Sequence, residues 1–140
     1  MSIGLLIITH NQIGDQLLDT AVNMLGYCPL LAENLDITAD ANPDRIRARA
    51  QQLADDLDQG DGVLVLTDMF GSTPSNIATS LGCEGRVAVV SGINLPMLVR
   101  VLNYPHLSLA GLTAKALSGG GDGILDCRQA LPERAHNLAS

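Results

Sequence analysis

Ile3–Gly4–Leu5–Leu6–Ile7–Ile8–Thr9–His10 is the stretch on which the fold turns. The apolar run does not alternate with polar residues, so the strand it predicts, Ile3 to Thr9, must be covered on both faces. Strands of that kind sit in the middle of parallel sheets, whose crossover connections place helices on both sides. The same run is too short for a signal peptide or a membrane span, and no basic residues precede it.

Working outward, Ile13, Leu17, Leu18, Ala21, Met24 and Leu25 recur at helical spacing, and Gly26 stops the helix. Leu30 to Ile37 contains a short second strand. Asn42, Pro43 and Asp44 mark a helix start, as cap, first helical residue and acid at the positive end. Ile46, Ala50, Leu53, Ala54 and Leu57 give that helix one apolar face, and Gly60 and Gly62 follow it. Gly62 to Thr67 predicts a third buried strand, and Asp68 to Thr73 a loop. Pro74 opens a helix, capped by Ser72 or Thr73, that ends near Gly82. Arg86 to Val90 is a fourth strand. Asn94–Leu95–Pro96 opens a helix that stops before Tyr104–Pro105, and a further helix spans Leu107 to Leu117. Gly119–Gly120–Gly121 is expected to break it as a hinge, Gly123 to Cys127 to form a short last strand, and the tail after Arg128 to be loose. The alternation predicts an α/β fold. It is an open, mostly parallel four-stranded sheet with helices on both faces, plus the short C-terminal strand. No repeat or linker divides the chain, so residues 1–140 read as one domain.

Composition narrows the function. The chain is 46% hydrophobic but only 2% aromatic, which leaves an aliphatic core. The net charge of −7 repels nucleic-acid phosphates and anionic lipid, so neither a nucleic acid nor a membrane is an expected partner. Arg45, Arg47 and Arg49 read as a solvated helix face. Cys28, Cys83 and Cys127 have no CxxC spacing, so they read as buried free thiols in a reducing, cytoplasmic setting.

In open parallel sheets reactive groups collect at the carboxyl ends of the strands. That rule selects His10 after the first strand and Asp68 after the third. If those strands are neighbours, the side chains can meet. A carboxylate accepting from one ring nitrogen leaves the other with its lone pair free, as base, metal ligand or nucleophile. The loop Asp68–Met69–Phe70–Gly71–Ser72–Thr73–Pro74 runs into a helix N-terminus, which suits an anion such as phosphate. Gly71 lets backbone approach, and Ser72 and Thr73 add hydroxyls. Together these features point to phosphoryl transfer. A metal centre is disfavoured, because no third ligand accompanies His10 and Asp68. His106 and His136 read as surface residues. Neither GxGxxG nor a Walker A sequence occurs in its strand–turn–helix context.

Three segments carry a family resemblance: Ile7–Ile8–Thr9–His10, Thr67 to Asn76, and Val90–Ser91–Gly92–Ile93–Asn94–Leu95–Pro96–Met97–Leu98. With them the chain resembles the IIA component of the mannose-type sugar phosphotransferase system through about Cys127. The resemblance implies that His10 accepts phosphate from the phosphocarrier HPr and passes it to a IIB partner. It implies that Asp68 orients His10, and that Gly71, Ser72 and Thr73 lie against the phosphoryl group. It also implies a homodimer, in which the strand at Gly123–Cys127 can be exchanged between subunits, and no cofactor. Many relatives carry a second glycine where this chain has Ser72, and many are fused to IIB. This sequence runs to Ser140 without such a stretch, so a separate IIB component is the expected acceptor.

Other assignments remain open at this level. One is a regulatory phosphoprotein in an incomplete phosphotransferase chain. Another is the related phosphotransferase subunit of dihydroxyacetone kinase, whose loop after the aspartate is usually Gly–Ser–Ala; the longer Phe70–Gly71–Ser72–Thr73–Pro74 favours the mannose type. A non-catalytic module on a flavodoxin-like sheet is the third.

Overall fold

The computed structural model describes residues 2–81 and 85–131. Four strands form one parallel sheet in the order β2–β1–β3–β4: β1 Gly4–His10, β2 Ala32–Ile37, β3 Val63–Thr67 and β4 Val87–Ser91. The helices are α1 Ile13–Leu25, α2 Pro43–Leu57, α3 Thr73–Thr79, α4 Leu95–Leu102 and α5 Leu109–Asp122. The inner strands β1 and β3 are the two continuous apolar runs, and their aliphatic side chains are fully buried.

Alternation divides the side chains of β1 between two cores. Leu5 and Ile7 pack with Ala21 of α1, Leu98 of α4 and Leu112 of α5. Leu6 and Ile8 pack with Ala50 and Leu53 of α2 and Ile77 of α3. By the same alternation Thr9 turns to the α1 face and His10 to the α2–α3 face. The chain leaves β1 outward to β2, then returns past β1 to β3, so the strand order reverses between β1 and β3. The loops leaving those two strands diverge to opposite faces, which opens a crevice at their carboxyl ends. His10 and Asp68 sit at that crevice because one ends β1 and the other follows β3.

Helix starts follow local chemistry. Asn42 Oδ1 accepts the amides of Asp44 (3.0 Å) and Arg45 (3.2 Å) ahead of α2, and Asn94 Oδ1 accepts that of Met97 (2.9 Å) ahead of α4. Gly26, at φ 87°, ends α1 in the left-handed conformation that a side chain resists.

The C-terminal side corrects several expectations. Helix α5 does not break at Gly119–Gly121 but runs through to Asp122. A Cβ on Gly119 would lie 2.7 Å from Arg100 Cβ, and one on Gly120 would lie 2.8 Å from Met97 Cε. These glycines let α5 press against α4, and that packing outweighs the roughly 1 kcal/mol each costs in a helix. Gly123–Cys127 forms no strand: Gly123 caps α5, and a helical turn covers residues 127–131, where a loose tail was expected. A strand needs a neighbour to complete its hydrogen bonds, and among the described residues no strand pairs with the segment. Cys28 and Cys127 are exposed rather than buried, because one follows α1 and the other lies beyond α5, outside the elements that build the two cores. Helix α3 stops at Thr79. Gly82, Cys83, His136 and the tail beyond Leu131 lie outside the described residues. Among the described residues no helix is long and apolar enough to cross a membrane.

Candidate active site

Parallel pairing places Ile8 opposite Thr67, so the chain beyond each strand emerges at one rim. There His10 Nδ1 lies 2.7 Å from Asp68 Oδ2. The same oxygen accepts the His10 backbone amide at 3.0 Å, and Asp68 Oδ1 accepts the Met69 amide at 3.0 Å. A carboxylate can only accept, so Nδ1 carries a proton, and in the neutral ring Nε2 keeps its lone pair. The Asp68 side chain is 13% exposed while that of His10 is 41% exposed. The orienting group is thus sheltered and the ring remains open to a partner.

Burial pushes the Asp68 carboxyl up. Hydrogen bonds from the His10 ring and backbone, the His10 charge and a backbone bond at Asp68 itself outweigh burial and hold it below its ordinary range. An ionised Asp68 beside His10 can stabilise positive charge on the ring.

A cavity of about 370 Å³ opens beside His10. Asn11, Thr38 and Thr73 supply its polar wall, and Ile37, Pro43 and Ile46 its apolar wall. Of the three loop residues expected to contact an anion, Thr73 lines this cavity, whereas Gly71 and Ser72 do not. Gly71 makes the turn at φ 84°. Ser72 stands at the cap position of α3, but its hydroxyl donates to Met69 O, so no side chain caps that helix. A larger cavity, about 730 Å³, lies between α4 and α5. Its charged residues Arg100 and Asp122 pair with each other at 3.0 Å, and it shares no residue with the His10 rim.

Several supporting residues were not legible as such in the sequence. Thr9, fully buried, accepts the Gly14 amide at 2.8 Å and so caps α1 from the strand that carries His10. Beneath Asp68, the hydroxyls of Thr67 and Ser91 meet at 2.8 Å and tie the ends of β3 and β4 together. Asn94, besides capping α4, donates to Gly120 O at 3.2 Å. Strand parity alone would have turned Thr9 away from His10 and toward α1, which is the signal available for it.

Residues 4–116 match the EIIA-man family, described as the PTS system fructose IIA component. The PTS system mannose-specific EIIAB component of Escherichia coli strain K12 is 32% identical over 130 residues, which cover 89% of this chain and 39% of that protein. The chain therefore spans about two-fifths of that relative's length. The PTS system fructose-specific EIIA component of Bacillus subtilis strain 168 is 38% identical over 77 residues, 52% of this chain and 53% of that protein. The crystal structure of phosphotransferase system component EIIA from Streptococcus agalactiae superposes with a TM-score of 0.79, covering 91% of this chain and 98% of that one. At 23% identity that likeness speaks to the fold. With the family match extending from β1 into α5 and the mixed-order parallel sheet beneath it, the chain belongs to the EIIA-man family, the IIA components of the PTS system.

Proposed function

We propose that this chain is a cytoplasmic phosphoryl carrier of the sugar phosphotransferase system. It accepts the phosphoryl group of phospho-HPr on His10 and passes it to a separate IIB component. The 2.7 Å contact between His10 Nδ1 and Asp68 Oδ2 carries this reading, because it leaves Nε2 as the nucleophile on an exposed ring. Asp68 orients the imidazole and balances the charge it gains once phosphorylated. Thr73, which lines the cavity with His10, offers a hydroxyl to the phosphoryl oxygens, and Gly71 and Ser72 shape the loop that leads to it. The carrier works as a homodimer; the exposed Ile124, Leu125 and Leu131 support an interface on the C-terminal side.

Purified protein incubated with phospho-HPr should gain an acid-labile, base-stable phosphate, and His10→Ala should gain none. Labelling of the alanine variant at the wild-type level would remove His10 from the role.

A further inference from the structure

Asn11 is the non-glycine residue that the backbone holds at positive φ, at 48°, among the described residues. Asparagine tolerates that region better than most residues, yet glycine would meet it with no steric cost. The backbone of Asn11 is anchored at its amide and at the residue before it. Its amide donates to Ile37 O at 2.9 Å, and the preceding residue is His10, held by Asp68 through ring and amide. Asn11 is exposed and lines the same cavity as His10 and Thr73. Its carboxamide makes no hydrogen bond to any described residue. An uncommon backbone conformation beside a reactive ring, carrying an unused pair of N–H donors, calls for a use outside the fold.

We infer that Asn11 is a further catalytic residue, whose side-chain N–H donates to an oxygen of the phosphoryl group in transfer. The inference rests on the carrier reading of His10. In the step, the Nε2 lone pair forms the new bond to phosphorus. The bond from phosphorus to the donor breaks and its electron pair leaves with the donor, while the proton on Nδ1 stays with the Asp68 contact. Negative charge is spread over the equatorial oxygens in such a transfer, and a donor fixed in advance stabilises it without reorganisation. Asn11 and Thr73 line one cavity and offer two such donors, one just after β1 and one at the start of α3. An amide donor also adds no positive charge, so the phosphate is not held too tightly to move on to the next protein.

The test uses the full chain and initial rates of His10 labelling by phospho-HPr, with thermal midpoints measured alongside. Asn11→Gly keeps the backbone conformation and removes the donor. Asn11→Asp keeps the shape and replaces the donor with a charge that repels phosphate. Labelling should slow about tenfold in Asn11→Gly, the scale of one hydrogen bond to a charged group, and further in Asn11→Asp, with the midpoints of both unchanged. A wild-type rate in either variant overturns the inference while the carrier reading stands. Failure of the wild-type protein to label at His10 overturns the carrier reading and this inference together.

Discussion

One oxygen of Asp68, Oδ2, accepts both the ring Nδ1 of His10 at 2.7 Å and its backbone amide at 3.0 Å. A single atom after β3 thereby fixes the orientation of the ring and the path of the chain as it leaves β1. The contact spans 58 residues of sequence and exists because β1 and β3 are neighbours in the sheet.

Asp68→Asn should therefore harm labelling more than stability. An asparagine can present its N–H to Nδ1 and favour the tautomer protonated on Nε2, which cannot attack phosphorus. We expect the rate of labelling by phospho-HPr to fall on the order of 100-fold or more; converting a histidine's orienting carboxylate to an amide costs up to about 10⁴ in rate elsewhere. A variant that labels at the wild-type rate would show that the carboxylate does not prepare the ring.

The lowered pKa of Asp68 sets an acid dependence of stability. The carboxyl is more acidic folded than unfolded, so the unfolded chain binds the proton first as pH falls. The stabilisation is complete above the ordinary value of 3.8 and is lost as pH drops through the lower folded value. Denaturant titrations should show the wild type losing stability more steeply than Asp68→Asn below pH 3.8. Parallel acid profiles would contradict this.

Thr9→Val retains the branched shape but leaves the buried Gly14 amide without an acceptor. Such an orphaned donor costs about 1–3 kcal/mol, and urea denaturation should register a loss of that size. Unchanged stability would mean that the cap on α1 does not depend on this hydroxyl.

Two glycines of α5 should respond in opposite directions to alanine. At Gly119 the new Cβ would press on Arg100 Cβ, and overpacking of about 1–3 kcal/mol exceeds the roughly 1 kcal/mol gained in helix propensity. At Gly121 no atom lies within 4 Å, so only the gain remains. Gly119→Ala should lower the denaturation midpoint and Gly121→Ala raise it. A rise in both would deny that Gly119 is a packing residue.

Where a property depends on neighbours along the chain, the amino-acid order settles it here. The runs at Ile3–Thr9 and Gly62–Thr67 appear as the two inner strands, because unbroken hydrophobicity allows no wet face. Asn42 and Pro43 start a helix where their own chemistry requires one. Even His10 and Asp68 stand out locally, as polar residues ending apolar runs. Contacts between distant segments were beyond that reach. Gly119–Gly121 looks like a hinge until Arg100 and Met97 are set against it, and then Gly119 and Gly120 are a packing face.

By itself, then, the sequence determined an α/β chain with buried parallel strands and a histidine and an aspartate at strand ends. Only the tertiary structure decided that β1 lies beside β3 and that Nδ1 rather than Nε2 meets the carboxylate. It alone brought Asn11 and Thr73 to one cavity with His10. The physical reason is one of range: propensity and periodicity act over a few residues, whereas strand order and helix packing are set by burying the whole aliphatic surface at once.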